Sequence, residues 1–175
     1  MASEYRPEGD RECFDDGHLI VYSVELPIAA PPCYFSKSFT FHCSVSPTSW
    51  SFFVNFEKKP TDGSVSCHVV IRRTDEDRNR IDVDFWMAAF CSDPIVDLPP
   101  KTINLRGMPG GREARRTFDG FLPYEIARQI GDRPRLFQVS LGVHGCHRGE
   151  RRKSLAKIVN WTHEKGKFKM LESKL

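Results

Sequence analysis

Histidine and cysteine recur close together along this 175-residue chain, at His42 and Cys43, at Cys67 and His68, and at His144, Cys146 and His147. Imidazole and thiolate are the ligands that zinc prefers, so these positions are the first candidates for chemistry. Strand geometry works against two of them: adjacent side chains on a strand point to opposite faces, so neither His42 with Cys43 nor Cys67 with His68 can serve one ion without a bulge. His144, Cys146 and His147 could converge locally but lack the paired spacing of zinc motifs, and neither a metal site nor any other cofactor site is read from the sequence. Catalytic patterns are equally sparse. There is no Gly-x-Ser-x-Gly and no His-Glu-x-x-His, and the loop with Gly107, Gly110 and Gly111 lacks the Lys and Ser/Thr that a phosphate loop requires. A Cys-His pair brought together by folding would need His42, His68 or His144 within hydrogen-bond reach of a nucleophile. The chain is therefore read as a binding protein and not as an enzyme.

Two other groups of residues could recognise a partner. Asp82, Asp84 and Trp86 fall on one phase of a strand, where a ring supplies contact area and carboxylates orient a cationic or amide group. Arg112, Arg115 and Arg116 lie in a Gly/Pro-rich stretch, and Arg151, Arg152 and Lys153 begin a basic tail; gathered on one side they would contact a nucleic-acid backbone in a salt-dependent way. Aromatic residues do not interleave with these arginines as a stacking platform requires, so an acidic protein partner competes with RNA for the same residues. The net charge of +3 hides this asymmetry. Residues 1–16 hold six acids against two arginines, while residues 148–175 hold nine Lys or Arg against three Glu, so the basic character belongs to the C-terminus.

The elements that must position these groups follow from hydropathy. With 39% hydrophobic residues, including 13 Phe, a ring-rich core is expected. Period-two alternation marks strands at 18–26, 38–45, 50–57, 64–72, 81–90 and 135–144. Their apolar phases read Ile20, Tyr22, Val24 and Leu26; Phe39, Phe41, Cys43 and Val45; Phe52, Val54 and Phe56; Val65, Cys67, Val69 and Ile71; Ile81, Val83, Phe85 and Met87; and Phe137, Val139, Leu141 and Val143. Residues 58–63 have the Pro, Asp and Gly of a turn, and the charged run 72–80 reads as a solvated hairpin loop. Residues 91–117 are broken by proline and glycine, with a short edge strand at 102–105, and 123–130 forms one or two helical turns ahead of Gly131. Beyond Gly145, Leu155, Ile158, Val159 and Thr162 recur at helical spacing, which predicts an amphipathic helix over about 150–165. The predicted fold is an all-β antiparallel sandwich of seven or eight strands with a C-terminal amphipathic helix. It divides into an acidic N-terminal tail (1–17), the sandwich (18–145) and a basic helix and tail (146–175). No run approaches the 18 or so apolar residues of a membrane helix and the N-terminus lacks a signal pattern, so a cytoplasmic or nuclear address is expected and the six cysteines read as reduced thiols, Cys43 and Cys67 in the core.

The order of elements resembles the MATH, or TRAF-like, domain. The likeness covers residues 18–145 and rests on an opening strand, the run Trp50, Ser51, Phe52, Phe53, Val54, a Val/Phe-rich central pair of strands, and Gly120 and Phe121 leading through Tyr124 into a short helix. It departs from the family at Asp119, where an aromatic is common. MATH domains hold short extended peptides across a shallow groove on one sheet, often in ubiquitin-ligase adaptors or signalling scaffolds. The resemblance implies that Gly120 and Phe121 match the family's groove, together with Phe85 or Trp86; a one-residue slip reverses the face, so only one of that pair can line it. The expected partner is another protein or a short linear peptide, bound by Phe85 or Trp86 with Asp82, Asp84, Gly120, Phe121 and Tyr124. The alternative is RNA or an acidic partner on the arginines and the basic tail, and pairing of two sandwiches is compatible with the same pattern.

Overall fold

The computed structural model describes residues 10–14, 17–43, 46–92 and 95–146, with side chains described for 17–43, 46–90 and 98–146. The tail helix expected at 150–165, with Arg151, Arg152 and Lys153, lies outside these residues. Ten strands and one helix succeed one another as β1 (Asp10–Phe14), β2 (Gly17–Leu26), β3 (Cys33–Phe41), β4 (Thr48–Lys58), β5 (Val65–Arg73), β6 (Ile81–Ser92), β7 (Ile95–Asp97), β8 (Lys101–Met108), β9 (Glu113–Leu122), α1 (Tyr124–Ile130) and β10 (Arg135–His144). One sheet runs β1-β2-β10-β6, with β7 and β8 both pairing with β6; the second runs β3-β4-β5-β9. All pairings are antiparallel. The fold is the expected all-β sandwich, with β1 and β7 as short additions to eight longer strands. No helix among the described residues is long and apolar enough to cross a membrane.

The apolar phase of each alternating strand becomes the core. Rings from the two sheets interlock across it: Tyr22 packs 5.8 Å from Phe52, Phe52 5.6 Å from Phe85, and Phe56 5.2 Å from Phe137 in an edge-on contact. Each such pair adds about 0.5–1.5 kcal/mol to what burial already supplies. Cys67 sits among them with its Sγ 3.9 Å from Met87 Sδ, and burial pushes its thiol far above the ordinary value, as befits a cysteine acting as a small hydrophobe.

The strand read at 38–45 is observed earlier, as β3, and three charged segments also depart from the sequence reading. Asp10–Phe14, assigned to the tail, pairs with β2 as β1. The arginine stretch 113–117, left irregular, lies in β9, the edge strand next to β5, because backbone pairing and not its own side chains selects the conformation. The charged loop 72–80 is not wholly solvated: Arg73 is completely buried at its start. Its Nε donates to both Asp75 carboxylate oxygens at 3.0 Å, and Nη1 donates to the carbonyls of Met108 (2.9 Å) and Asn79. The guanidinium also lies 5.9 Å from the ring centre of the buried Trp50. Asp75 in turn accepts the Ser49 amide at 2.8 Å, so this one ion pair joins the starts of β4 and the β5–β6 loop to the end of β8. Gly110 closes the same corner by donating its amide to Asp77 O, and a Cβ there would stand 2.5 Å from that oxygen.

Candidate functional site

The residues singled out from sequence do not assemble into one surface. Phe85 and Trp86 are neighbours on β6 and therefore face opposite ways. Phe85 is fully buried between the sheets. Trp86 occupies the other face of its sheet, between Ser140 of β10 and Thr102 of β8, and is also buried, only 4% exposed. Phe121 is likewise a core ring, 5.6 Å from Phe56. These three cannot line an open groove, which corrects the expectation that placed a partner on them. Alternation assigns a side chain to a face without saying whether that face is covered.

The acidic pair has structural partners. Asp82 Oδ1 accepts the Gly107 amide at 2.8 Å, which holds the bulge where β8 slips against β6. Gly107 there has φ +61°, a conformation glycine adopts without cost. Asp84 is buried between Arg106 (3.3 Å) and His144 (3.1 Å). His147, the third member of the set considered with His144 and Cys146, lies outside the described residues. Gly120, φ +61°, sits in the matching irregularity of β9 against β5, beside Asp119, whose carboxylate meets Lys59 at 2.7 Å. The hydrogen bond and charge of Lys59 hold Asp119 below its usual range, and the same contact raises Lys59. Only Gly120 and Tyr124 of the predicted partner set are exposed, with Tyr124 packed beside Gly63.

The open surface lies elsewhere, on the outer face of the four-stranded sheet. Register aligns its outward residues in rows across the strands. One row runs Tyr34, Asn55, His68, Thr117; the next runs Ser36, Phe53, Val70, Arg115; a third runs Ser38, Ser51, Arg72, Glu113. Tyr34 and Phe53, 66% and 40% exposed, stack with ring centres 5.8 Å apart. Beside them His68 bridges Glu57 (3.2 Å) and Thr117 (3.0 Å), and Arg115 meets Glu113 at 2.6 Å. β9 forms the margin of this sheet, and among the described residues nothing pairs with its far side. Along that margin Arg112, Arg115 and Arg116 are all exposed. Two signals for this face were present in the chain. Phe52 and Phe53 are consecutive, as are Tyr34 and Phe35, and in a strand one ring of each pair must point away from the core.

The fold and this face define an antiparallel β-sandwich with an aromatic outer surface and an open, arginine-bearing edge. No protein-family model matches the chain, and no curated protein matches it in sequence.

Proposed function

We propose that the sandwich is a non-catalytic protein-binding module that captures a short, extended, acid-bearing peptide of a partner, as an adaptor or scaffold does. The peptide lies across the outer face of the four-stranded sheet, from Tyr34 and Phe53 over Val70 to Arg115 on β9. The observation that carries this reading is the exposed Tyr34–Phe53 stack on the outer face of the four-stranded sheet. Exposed rings on the face supply contact area and selectivity for the side chains laid over them. Exposed Arg112, Arg115 and Arg116 along the margin favour carboxylates in the peptide. The resemblance to MATH domains, which hold extended peptides on one sheet, supports the same mode of binding.

Peptides selected from a random display library against the full chain test this directly. Tyr34→Ala with Phe53→Ser should weaken the selected peptides about tenfold or more, since exposed aromatic anchors dominate such interfaces. The melting temperature should stay nearly constant, because surface substitutions of this kind change stability by about 0.5 kcal/mol or less. Equal affinity for the double variant would defeat the assignment of this face. Tight binding of single-stranded RNA that collapses with added salt and competes with the peptides would hand the arginines to nucleic acid.

A further inference from the structure

At one end of the sandwich, three zinc-type donors from distant parts of the chain meet. His18 is the second residue of β2, Cys43 lies just beyond β3, and Cys146 lies just beyond β10. All three are buried, and one donor atom from each lies within 4.8 Å of the others. Zinc bonds of about 2.0–2.3 Å in a tetrahedron set neighbouring donors about 3.3–3.8 Å apart, so closing on an ion requires shifts of about 1 Å or less. We propose that His18, Cys43 and Cys146 bind a structural zinc-type divalent cation that ties β2 and β10, in one sheet, to the segment after β3, in the other.

The surroundings of the donors fit that role. Phe41 stacks on the His18 ring at 5.3 Å with the planes 18° apart, which orients the imidazole. The Ser46 amide points its hydrogen at Cys43 Sγ over 3.5 Å, the kind of donation that supports charge on a ligating sulfur. Gly17 allows β2 to begin in close contact with β10, since a Cβ at that position would lie 1.9 Å from Val143 O. His18 thereby pairs with Val143, three residues before Cys146. Three ligands leave one tetrahedral position, which a water molecule can take. Buried cysteines often serve only as small hydrophobes, and Cys67, whose sulfur rests against Met87, is an example in this core. Cys43 and Cys146 differ in converging, with an imidazole, on one point. A set assembled from three separate elements has no local motif, which is why the spacing of His144, Cys146 and His147 gave no sign of it.

The test is metal analysis of the full chain, purified in reductant without chelator. About one zinc per chain is expected. After the metal is removed, Co²⁺ should restore stoichiometric binding with the visible bands of a tetrahedral ion and a sulfur-to-cobalt charge-transfer band. Cys43→Ser and Cys146→Ser should each weaken that band and lower the affinity, and the double variant should abolish it, whereas His68→Ala, outside the cluster, should retain it. Folding is controlled within the wild type: adding zinc to the metal-free chain at about a thousandfold excess over Kd should raise Tm by about 10 °C. Folded, reduced wild type that takes up neither zinc nor cobalt stoichiometrically would overturn the site. So would a native disulfide between Cys43 and Cys146 in the protein isolated from cells.

Discussion

Arg73→Ala is expected to destabilise the protein by about 3–5 kcal/mol, the usual cost of removing one partner from a buried ion pair. In a domain of this size that corresponds to a fall in Tm of roughly 10–15 °C, measured by calorimetry or circular dichroism. The cost is large because several groups lose their partner together. The Asp75 carboxylate loses its cation, the carbonyls of Met108 and Asn79 lose a donor, and the Trp50 ring loses the guanidinium beside it. Arg73→Lys should recover only part of the loss, since an ammonium cannot reproduce the planar fork. A change below about 1 kcal/mol in Arg73→Ala would show that the corner does not depend on this pair.

The same pair has a pH signature. Burial pushes the Asp75 carboxyl up, but the Arg73 hydrogen bond, the Ser49 amide and the Arg73 charge outweigh it and hold the group below its ordinary value of 3.8. A carboxyl depressed in the folded state stabilises the fold fully above its unfolded value, and that stabilisation disappears as pH falls through the folded one. Stability should therefore decline below about pH 4, and Asp75→Asn should flatten part of that acid limb in urea titrations taken at successive pH values.

The second large effect falls on residues that the sequence assigned to partner binding. Phe85→Ala and Phe121→Ala should each cost about 3–5 kcal/mol, the range for emptying a buried aromatic position. Phe85 packs between the sheets against Phe52, and Phe121 against Phe56, so each truncation leaves a cavity that neighbouring rings fill poorly. Urea denaturation would report it as a lower midpoint with little change in slope. Retained stability with lost peptide binding would return these rings to a groove and contradict their place in the core. The pair Tyr34 and Phe53 should behave the other way round, with binding lost and stability kept.

Particular elements show what could be read in advance. β10 matches the predicted 135–144 residue for residue, and α1 falls within the predicted 123–130, because clean alternation and the Pro123-to-Gly131 boundaries are local signals. β9 was illegible: an edge strand rich in arginine carries little apolar rhythm, and its conformation is imposed by pairing with β5. Arg73 was misread for a related reason. A charge at the head of a charged run looks solvated until Asp75 and the carbonyls of a distant strand close over it.

The amino-acid sequence by itself determined the alternation of apolar and polar side chains, and through it the two-layer antiparallel architecture and most of its inward rings. Only the tertiary structure decided which outward face stays open. On the polar phase of β6 Trp86 is buried, while on that of β4 Phe53 is exposed. It also decided which histidine and cysteines converge, since His18, Cys43 and Cys146 meet only after strands remote in the chain come into register. The physical reason is common to both. Alternation along one strand is set by local backbone geometry, whereas cover over a face and convergence at a point depend on packing between segments that no local window contains.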